Sequence, residues 1–507
     1  MIADRAERPV ESTITKVTLM AKGKRSTFER LWSGKGNRKQ RKEVIRRLYA
    51  DDPGLDVVHP HAAGIDVGNK SHFVAVRPDR DAEPVREFGS WTADLHRMAD
   101  WLAARGVKQV AMQSTGVYWI AVYDVLQARG FAVCLTNARD TKNLPGRKSD
   151  VQESQWLLKL HTYGLLRNSF RPPEEIRSLR TLWRLRSRHV QDAGREIQHM
   201  QKALTTMNVQ LANVISDVSG VTGQAIIRAI LQGERDPHQL AALRDYRIQA
   251  SAEEIARSLE GHWQEDVLFE LRQAVERYDF CQQQIAACDQ RLAQNLGVLP
   301  SRTIAEVEPA AAAPATHRPA EGKREHKRKR GRGKPRKNEP QFDLQEELQR
   351  ICGVNLPTID GVDVMTTQTW VSELGTDMRP WPTEDHLVSW LNLSPKRQIS
   401  GGKLIKHERN KAKNRVAEAL RMAASTLRES DSYLGARFRS LRGRLGPGKA
   451  IKAMAAHLAR LIYRMLTRGQ DWVDHGAEVY QKRREERERR ALERKAGALG
   501  LRLVPSE

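Results

Sequence analysis

Cysteine is scarce in this chain: four among 507 residues, Cys134, Cys281, Cys288 and Cys352, none in a CxxC pair. That argues against a zinc ribbon and against a disulfide framework. Cys281 and Cys288 stand seven apart on an expected helix and share a face, as packed thiols do in a reducing compartment. Long apolar runs are missing too. None approaches the roughly 18–20 residues a membrane span needs, and the N-terminus lacks the charged-then-apolar order of a signal peptide. A cytoplasmic protein with no membrane partner is expected. Neither a P-loop nor a Rossmann fingerprint occurs, so no nucleotide energy source is implied. Negative charge is in the minority, with 62 Asp and Glu against 86 Lys and Arg, a formal net charge of +24. Such an excess predicts a polyanionic partner whose counterions are released on binding.

What is present divides into six stretches. Residues 1–58 form a basic extension. Residues 59–170 read as α/β: strands at 62–67, 72–77, 85–88, 107–113 and 131–135, helices at 92–105, 117–129 and 150–162. A β-hairpin followed by alternating helices and strands is the order of an RNase H-like fold. Residues 171–298 look almost wholly helical. One stripe is Ile176, Leu179, Leu182 and Leu185, another Val275, Tyr278, Ile285 and Leu292, suggesting an antiparallel hairpin or coiled coil for reach and dimer contact. Residues 299–342 are a disordered basic linker, because ten of the fifteen residues 323–337 are Lys or Arg and no core can form there. Lys327, Arg328, Lys329 and Arg330 are its centre and would bind nucleic acid without sequence preference. Residues 343–470 form a mainly α domain. Its Ile359-Asp360-Gly361-Val362 is similar to a helix-hairpin-helix turn, whose N–H groups can meet a DNA phosphate. Residues 471–507 are a charged helix and tail.

The chemistry-bearing residues are few. Asp66 ends the first strand, where an RNase H-like domain places its central metal ligand. Asp150 and Glu153 are three apart on a helix and share a face. Oxygen ligands meeting at one point suit Mg²⁺, which keeps several waters, and one or two such ions can serve phosphoryl transfer. Arg147 and Lys148 precede the pair and can touch nucleic acid. Far downstream, Ser400 lies in Ile-Ser-Gly-Gly-Lys (399–403). Gly401 and Gly402 allow close approach of a phosphate, and Lys396, Arg397, Lys403 and Lys406 can stabilise a pentavalent phosphorus. Ser394 is the alternative nucleophile. Asn410, Lys411, Asn414, Arg415 and Arg421 open a helix whose apolar face includes Val416, Leu420 and Ala424, leaving a polar face for the DNA backbone.

These motifs, in order, carry a resemblance: Gly-Ile-Asp-Val-Gly (64–68), Met-Gln-Ser-Thr-Gly-Val-Tyr-Trp (112–119), Asn-Ala-Arg (137–139), Pro-Gly-Arg-Lys-Ser-Asp (145–150), and Trp390-Leu391-Asn392-Leu393-Ser394-Pro395 ahead of Ser400. The chain resembles the DEDD transposases of bacterial insertion sequences, over roughly 60–175 and 345–470. The resemblance implies a RuvC-like N-terminal domain and a C-terminal transposase domain with a serine nucleophile, which aligns with Ser400. It also implies a structured guide (bridge) RNA that pairs with target and donor DNA. Of the family's Asp, Glu, Asp, Asp, the first falls on Asp66 and the third on Asp150. The second falls on Gln113 and the fourth on Glu153. Gln113 offers a carbonyl oxygen but no charge, which weakens the hold on one ion; Asp124 and Asp140 are the neighbouring candidates for that charge.

The resulting expectation is a DNA transposase or recombinase that attacks a phosphodiester with Ser400, assisted by Mg²⁺ at Asp66, Asp150 and Glu153 with Gln113. The acids and the serine lie on different domains, so assembly as a homodimer or homotetramer on the DNA is expected. Two alternatives stand beside it: a RuvC-like junction nuclease using metal-bound water, and a nucleic-acid-binding relative disarmed at Gln113.

Overall fold

A computed structural model describes residues 54–114, 116–137, 141, 149–302, 338–400, 403–408 and 414–469, with scattered residues between 486 and 501; for 396–400 and 403–408 it describes the backbone only. The chain splits into two compact units, residues 1–171 and 172–507.

The first unit is built on a five-stranded mixed sheet. Its strands are β1 (Ala62–Val67), β2 (Ser71–Val76), β3 (Val85–Gly89), β4 (Gln109–Gln113) and β5 (Ala132–Thr136), in the order β3-β2-β1-β4-β5. The β1–β2 and β2–β3 pairs are antiparallel, whereas β1–β4 and β4–β5 are parallel. This is the RNase H-like arrangement the sequence order predicts. Alternation along β1 divides its side chains between two layers. Ala63, Ile65 and Val67 face a core shared with helices α1 (Thr92–Ala104) and α2 (Trp119–Ala128), where Leu95, Met98, Leu102, Val122 and Leu126 are buried. The opposite face carries Ala62, Gly64 and Asp66, and is covered by helix α3 (Asp150–Thr162) through Leu158, with Trp156, Leu157 and Leu160 packed beside Ala111 of β4.

The second unit begins with a pair of long helices, α4 (Glu174–Thr206, 33 residues) and α9 (Glu265–Val298, 34 residues). At 1.5 Å per residue each spans about 50 Å. They are antiparallel, since Asn295 donates to Ser178 at 2.8 Å while Arg186 donates to Asp289 further along. The face that α4 buries is Ile176, Leu179, Trp183 and Arg186, not the Leu182 and Leu185 continuation the sequence suggested. Steps of three fall 60° short of a full turn, so 176, 179, 182, 185 drifts around the helix, whereas alternating steps of three and four keep one seam. On α9 the seam includes Val275, Cys281, Ile285, Cys288 and Leu292, with Tyr278 half-buried. Burial raises the thiol pKa of both cysteines above the ordinary value. Arg186 and Asp289 form a buried ion pair in the seam, and Arg186 also donates to the Asn338 carbonyl at 2.9 Å. Losing one partner would leave an uncompensated charge, so the pair fixes the register of the two helices.

Between the long helices, α5 (Leu211–Val214), α6 (Val221–Leu231), α7 (Pro237–Ala242) and α8 (Ala252–Ser258) make a cap whose Ile226, Ile227, Ile230, Leu240 and Ile255 share one core with Met200 and Leu204 of α4 and Leu271 and Val275 of α9. After the long pair come α10 (Leu344–Cys352), a 3₁₀ turn (Leu356–Thr358), α11 (Val364–Leu374), α12 (Glu384–Trp390), the antiparallel hairpin β6 (Lys396–Ser400) and β7 (Lys403–Glu408), α13 (Arg415–Thr426), a second 3₁₀ turn (Leu427–Glu429), α14 (Tyr433–Leu445) and α15 (Pro447–Arg468). No helix among the described residues is long and apolar enough to cross a membrane.

Candidate active site

Asp66 and Gln113 come together at one end of the sheet. The parallel register pairs Ile65 with Met112, and Asp66 and Gln113 are the next residues on each strand. Both therefore stand at the carboxyl ends of neighbouring strands, about 4.8 Å apart between backbones, and on one face. Asp66 and Gln113 are half-buried.

The acids of α3 reach the same end because this helix runs against β1. At one end, the Val58 and His59 N–H groups both donate to the Thr162 carbonyl at 2.9 Å, tying the helix C-terminus to the chain entering β1. His59 stacks on His161 there. Midway, Gly64 lies directly beneath the helix: a Cβ on it would sit 2.3 Å from both the Ser154 carbonyl oxygen and the Leu158 nitrogen. Only glycine permits that contact. From Gly64 to Asp66 the strand advances about 6.6 Å. The same distance along the helix, from its contact near residue 156, covers about 4.4 residues and arrives between Asp150 and Glu153.

The first turn of α3 is set by a capping box. Ser149 accepts from the Gln152 N–H, and the Gln152 side chain accepts from the Ser149 N–H, both at 3.3 Å. This fixes the start of the helix at Asp150 and puts both acids in its first turn, where the helix dipole favours negative charge. Asp150 is exposed and Glu153 half-buried.

The donors thus gathered are oxygen-only and partly open to water. Oxygen donors of this kind suit a hard cation that retains several waters rather than a closed cage; among the described residues no three His, Cys, Asp or Glu side chains lie close enough together to hold one. Asp124 does not join them. It lies on α2, over the other face of the sheet, and is ion-paired at 2.6 Å with Arg171, whose guanidinium stacks on Tyr123. Asp140, Arg147 and Lys148 lie outside the described residues.

In the second unit Ser400 ends β6 and is paired in register with Lys403, the first residue of β7. It therefore stands where the hairpin turns. Lys396, Arg397, Lys403 and Lys406 are on the two strands, described in backbone only. Gly401, Gly402, Asn410, Lys411 and the linker residues Lys327, Arg328, Lys329 and Arg330 lie outside the described residues, as does the basic extension up to residue 53. Arg415 opens α13 after the Asn414 cap, which accepts from the Ala417 N–H at 3.0 Å. The helix buries Val416, Leu420 and Ala424 as the sequence pattern required. Ser394 is half-buried between α12 and β6.

The turn at Ile359–Val362 is used differently from expectation. The Val362 N–H donates to the Ile359 carbonyl at 3.0 Å. A Cβ on Gly361, at φ +83°, would lie 2.8 Å from the Ala423 carbonyl oxygen. The Asp360 carboxylate accepts from the hydroxyls of Ser430 and Ser432, next to the start of α14. These contacts staple the turn onto α13 and α14.

Sequence reasoning missed Glu373. It is buried on α11, and Arg184 forks its carboxylate at 2.8 and 2.7 Å. The signal was there: a glutamate inside the apolar run Trp370-Val371…Leu374, with Arg180 and Arg184 at i, i+4 on another helix.

Comparison with protein families bears on both units. Residues 63–209 match a family described as a transposase, of the DEDD type found in IS110 elements. Residues 353–439 match the transposase IS116/IS110/IS902 family. No curated protein matches the chain. The two matches, in this order, support an IS110-family transposase, and with it a DNA-cutting and DNA-rejoining activity.

Proposed function

We propose that this IS110-family chain recombines DNA by serine attack on a phosphodiester, with a divalent ion at the acidic edge of its first unit. The observation that carries the reading is the convergence of Asp66, Gln113 and the first turn of α3 at one end of the sheet. Asp66, Asp150 and Glu153 would hold Mg²⁺, with the Gln113 carbonyl oxygen assisting. When bound, the ion supplies charge neutralisation to a phosphate.

The position of Ser400 at a hairpin turn between strands bearing Lys396, Arg397, Lys403 and Lys406 supports the nucleophile assignment. Its hydroxyl oxygen bonds to phosphorus and gives up its proton as one deoxyribose oxygen leaves, and the leaving oxygen takes up that proton. The cations offset the charge that builds on the phosphoryl oxygens. Because the phosphoserine ester retains the bond energy, reversal of the step by a different deoxyribose hydroxyl rejoins the ends without nucleotide hydrolysis. Acids and serine reside in separate units, which favours a dimer or tetramer as the working form. The net charge of +24 accommodates a guide RNA beside the DNA.

The test is Ser400→Ala. Covalent protein–DNA species that survive denaturation should disappear while DNA binding is retained. If they persist, another residue is the nucleophile. If the unaltered protein only nicks, the junction-nuclease reading takes its place.

A further inference from the structure

Three guanidinium groups gather on the single carboxylate of Glu373. Arg184 takes both oxygens in a fork. The Arg180 Nε lies 3.3 Å from Oε2, and its Nη2 donates to the Glu373 backbone carbonyl. Arg415 Nε stands 4.0 Å from Oε1. Helices α4, α11 and α13 thus meet at one acid whose side chain is 9 % exposed. Three positive charges against one negative leave an excess of two.

The buried Glu373 carboxylate needs a single counter-charge, because a charge taken out of water needs a partner, yet two further guanidiniums stand around it. Arg184 already occupies the carboxylate, and the buried Arg180 Nε, 3.3 Å from Oε2, is not aligned to donate to it. Burial lowers the Arg180 pKa, Glu373 raises it and the like charge of Arg184 lowers it again. The two other arginines stay accessible, Arg184 at 44 % and Arg415 at 47 %. Arg415 is also the first residue of a 12-residue helix, so its charge adds to the positive end of the helix dipole. An anion reaching Arg184 and Arg415 from solvent would meet an excess of cations whose geometry is already set. Both guanidiniums keep N–H groups that the carboxylate does not take, and these can donate to the two non-bridging oxygens of a phosphodiester.

We infer that Arg184 and Arg415 clamp one backbone phosphate of duplex DNA, and that Glu373 is the positioning residue that holds the clamp in shape. The inference rests on the DNA substrate that the family supports and is independent of Ser400. Binding, not turnover, tests it, so its failure would leave the nucleophile assignment untouched.

The experiment measures equilibrium binding of the full chain to a duplex oligonucleotide over a range of salt. Arg415→Ala should reduce the slope of log K against log salt by about 0.9, one phosphate contact. An unchanged slope overturns the clamp. Glu373→Gln separates positioning from bulk charge: it makes the protein more positive, yet binding should weaken because the fork to Arg184 is lost. Tighter or equal binding overturns the positioning role. Should Glu373→Gln fail to fold, the Arg415→Ala slope still decides. A slope change seen with single-stranded RNA and not with duplex DNA would overturn the assignment to DNA.

Discussion

The acids at the end of the sheet and the acid beneath the arginines are arranged in opposite ways. Asp66 and Glu153 are half-buried, Asp150 is exposed, and the two helix acids lie in the first turn of α3. Glu373 is buried, forked by one arginine and approached by two more. The first set leaves room for water and a cation of modest dehydration. The second uses a carboxylate as scaffolding, so that cations around it face outward in fixed geometry. The carboxylates proposed to engage an ion are left accessible; the one that organises side chains is sealed. The comparison teaches that burial and neighbours, rather than residue type, separate these roles.

Three changes would break or sharpen that contrast. The largest effect is expected at the sheet end. Asp66→Asn keeps shape but removes a charge, and DNA strand cleavage should fall by on the order of a thousandfold with circular dichroism unchanged. Unaltered cleavage would mean that the sheet-end acids do not serve the reaction. In the second unit, Glu373→Ala should cost stability rather than chemistry alone, about 3 kcal/mol in urea denaturation, because the arginines lose their shared counter-charge. A loss under about 1 kcal/mol would show that water screens the cluster well enough.

The smallest effect concerns acid pH and the histidine at the far end of α3. Burial, with a lesser contribution from His59, pushes the His161 pKa down to about 4 from its ordinary 6.5. The neutral form is the folded form, so its stabilising effect is whole above pH 6.5 and is lost as pH falls toward 4. Between pH 7 and pH 5 the unit should lose roughly 2 kcal/mol from this residue. Thermal melts at pH 7, 6 and 5 would show it, and His161→Leu should flatten the dependence. His457 on α15, pushed down to about 3 by burial and by Arg437, Arg464 and Arg460, adds a loss of the same sign in the second unit.

Much of the first unit was legible because its signals are local. The strand read at 62–67 and the helix read at 150–162 have the bounds the structure gives. Asp66, Asp150 and Glu153 could be named because strand ends and first turns are places a sequence marks. What was hidden depends on which face meets which. The drift from Leu182 and Leu185 to Trp183 and Arg186 needed the partner helix. The diversion of Asp124 needed Arg171, 47 residues away. The inward use of Asp360 needed Ser430 and Ser432, 70 and 72 residues on. Glu373 needed arginines 189 and 193 positions earlier. Long-range pairs leave no periodicity to read.

The contact of Gly64 with the backbone of α3 has a further implication for how this enzyme can drift over evolutionary time. Main chain rests on main chain there, so the gap between strand acid and helix acids is gauged by atoms every sequence shares. Substitutions can resize the hydrophobic layer on the far side of the sheet without altering that gauge, which frees most of the unit to diverge while the spacing of strand acid and helix acids stays constant.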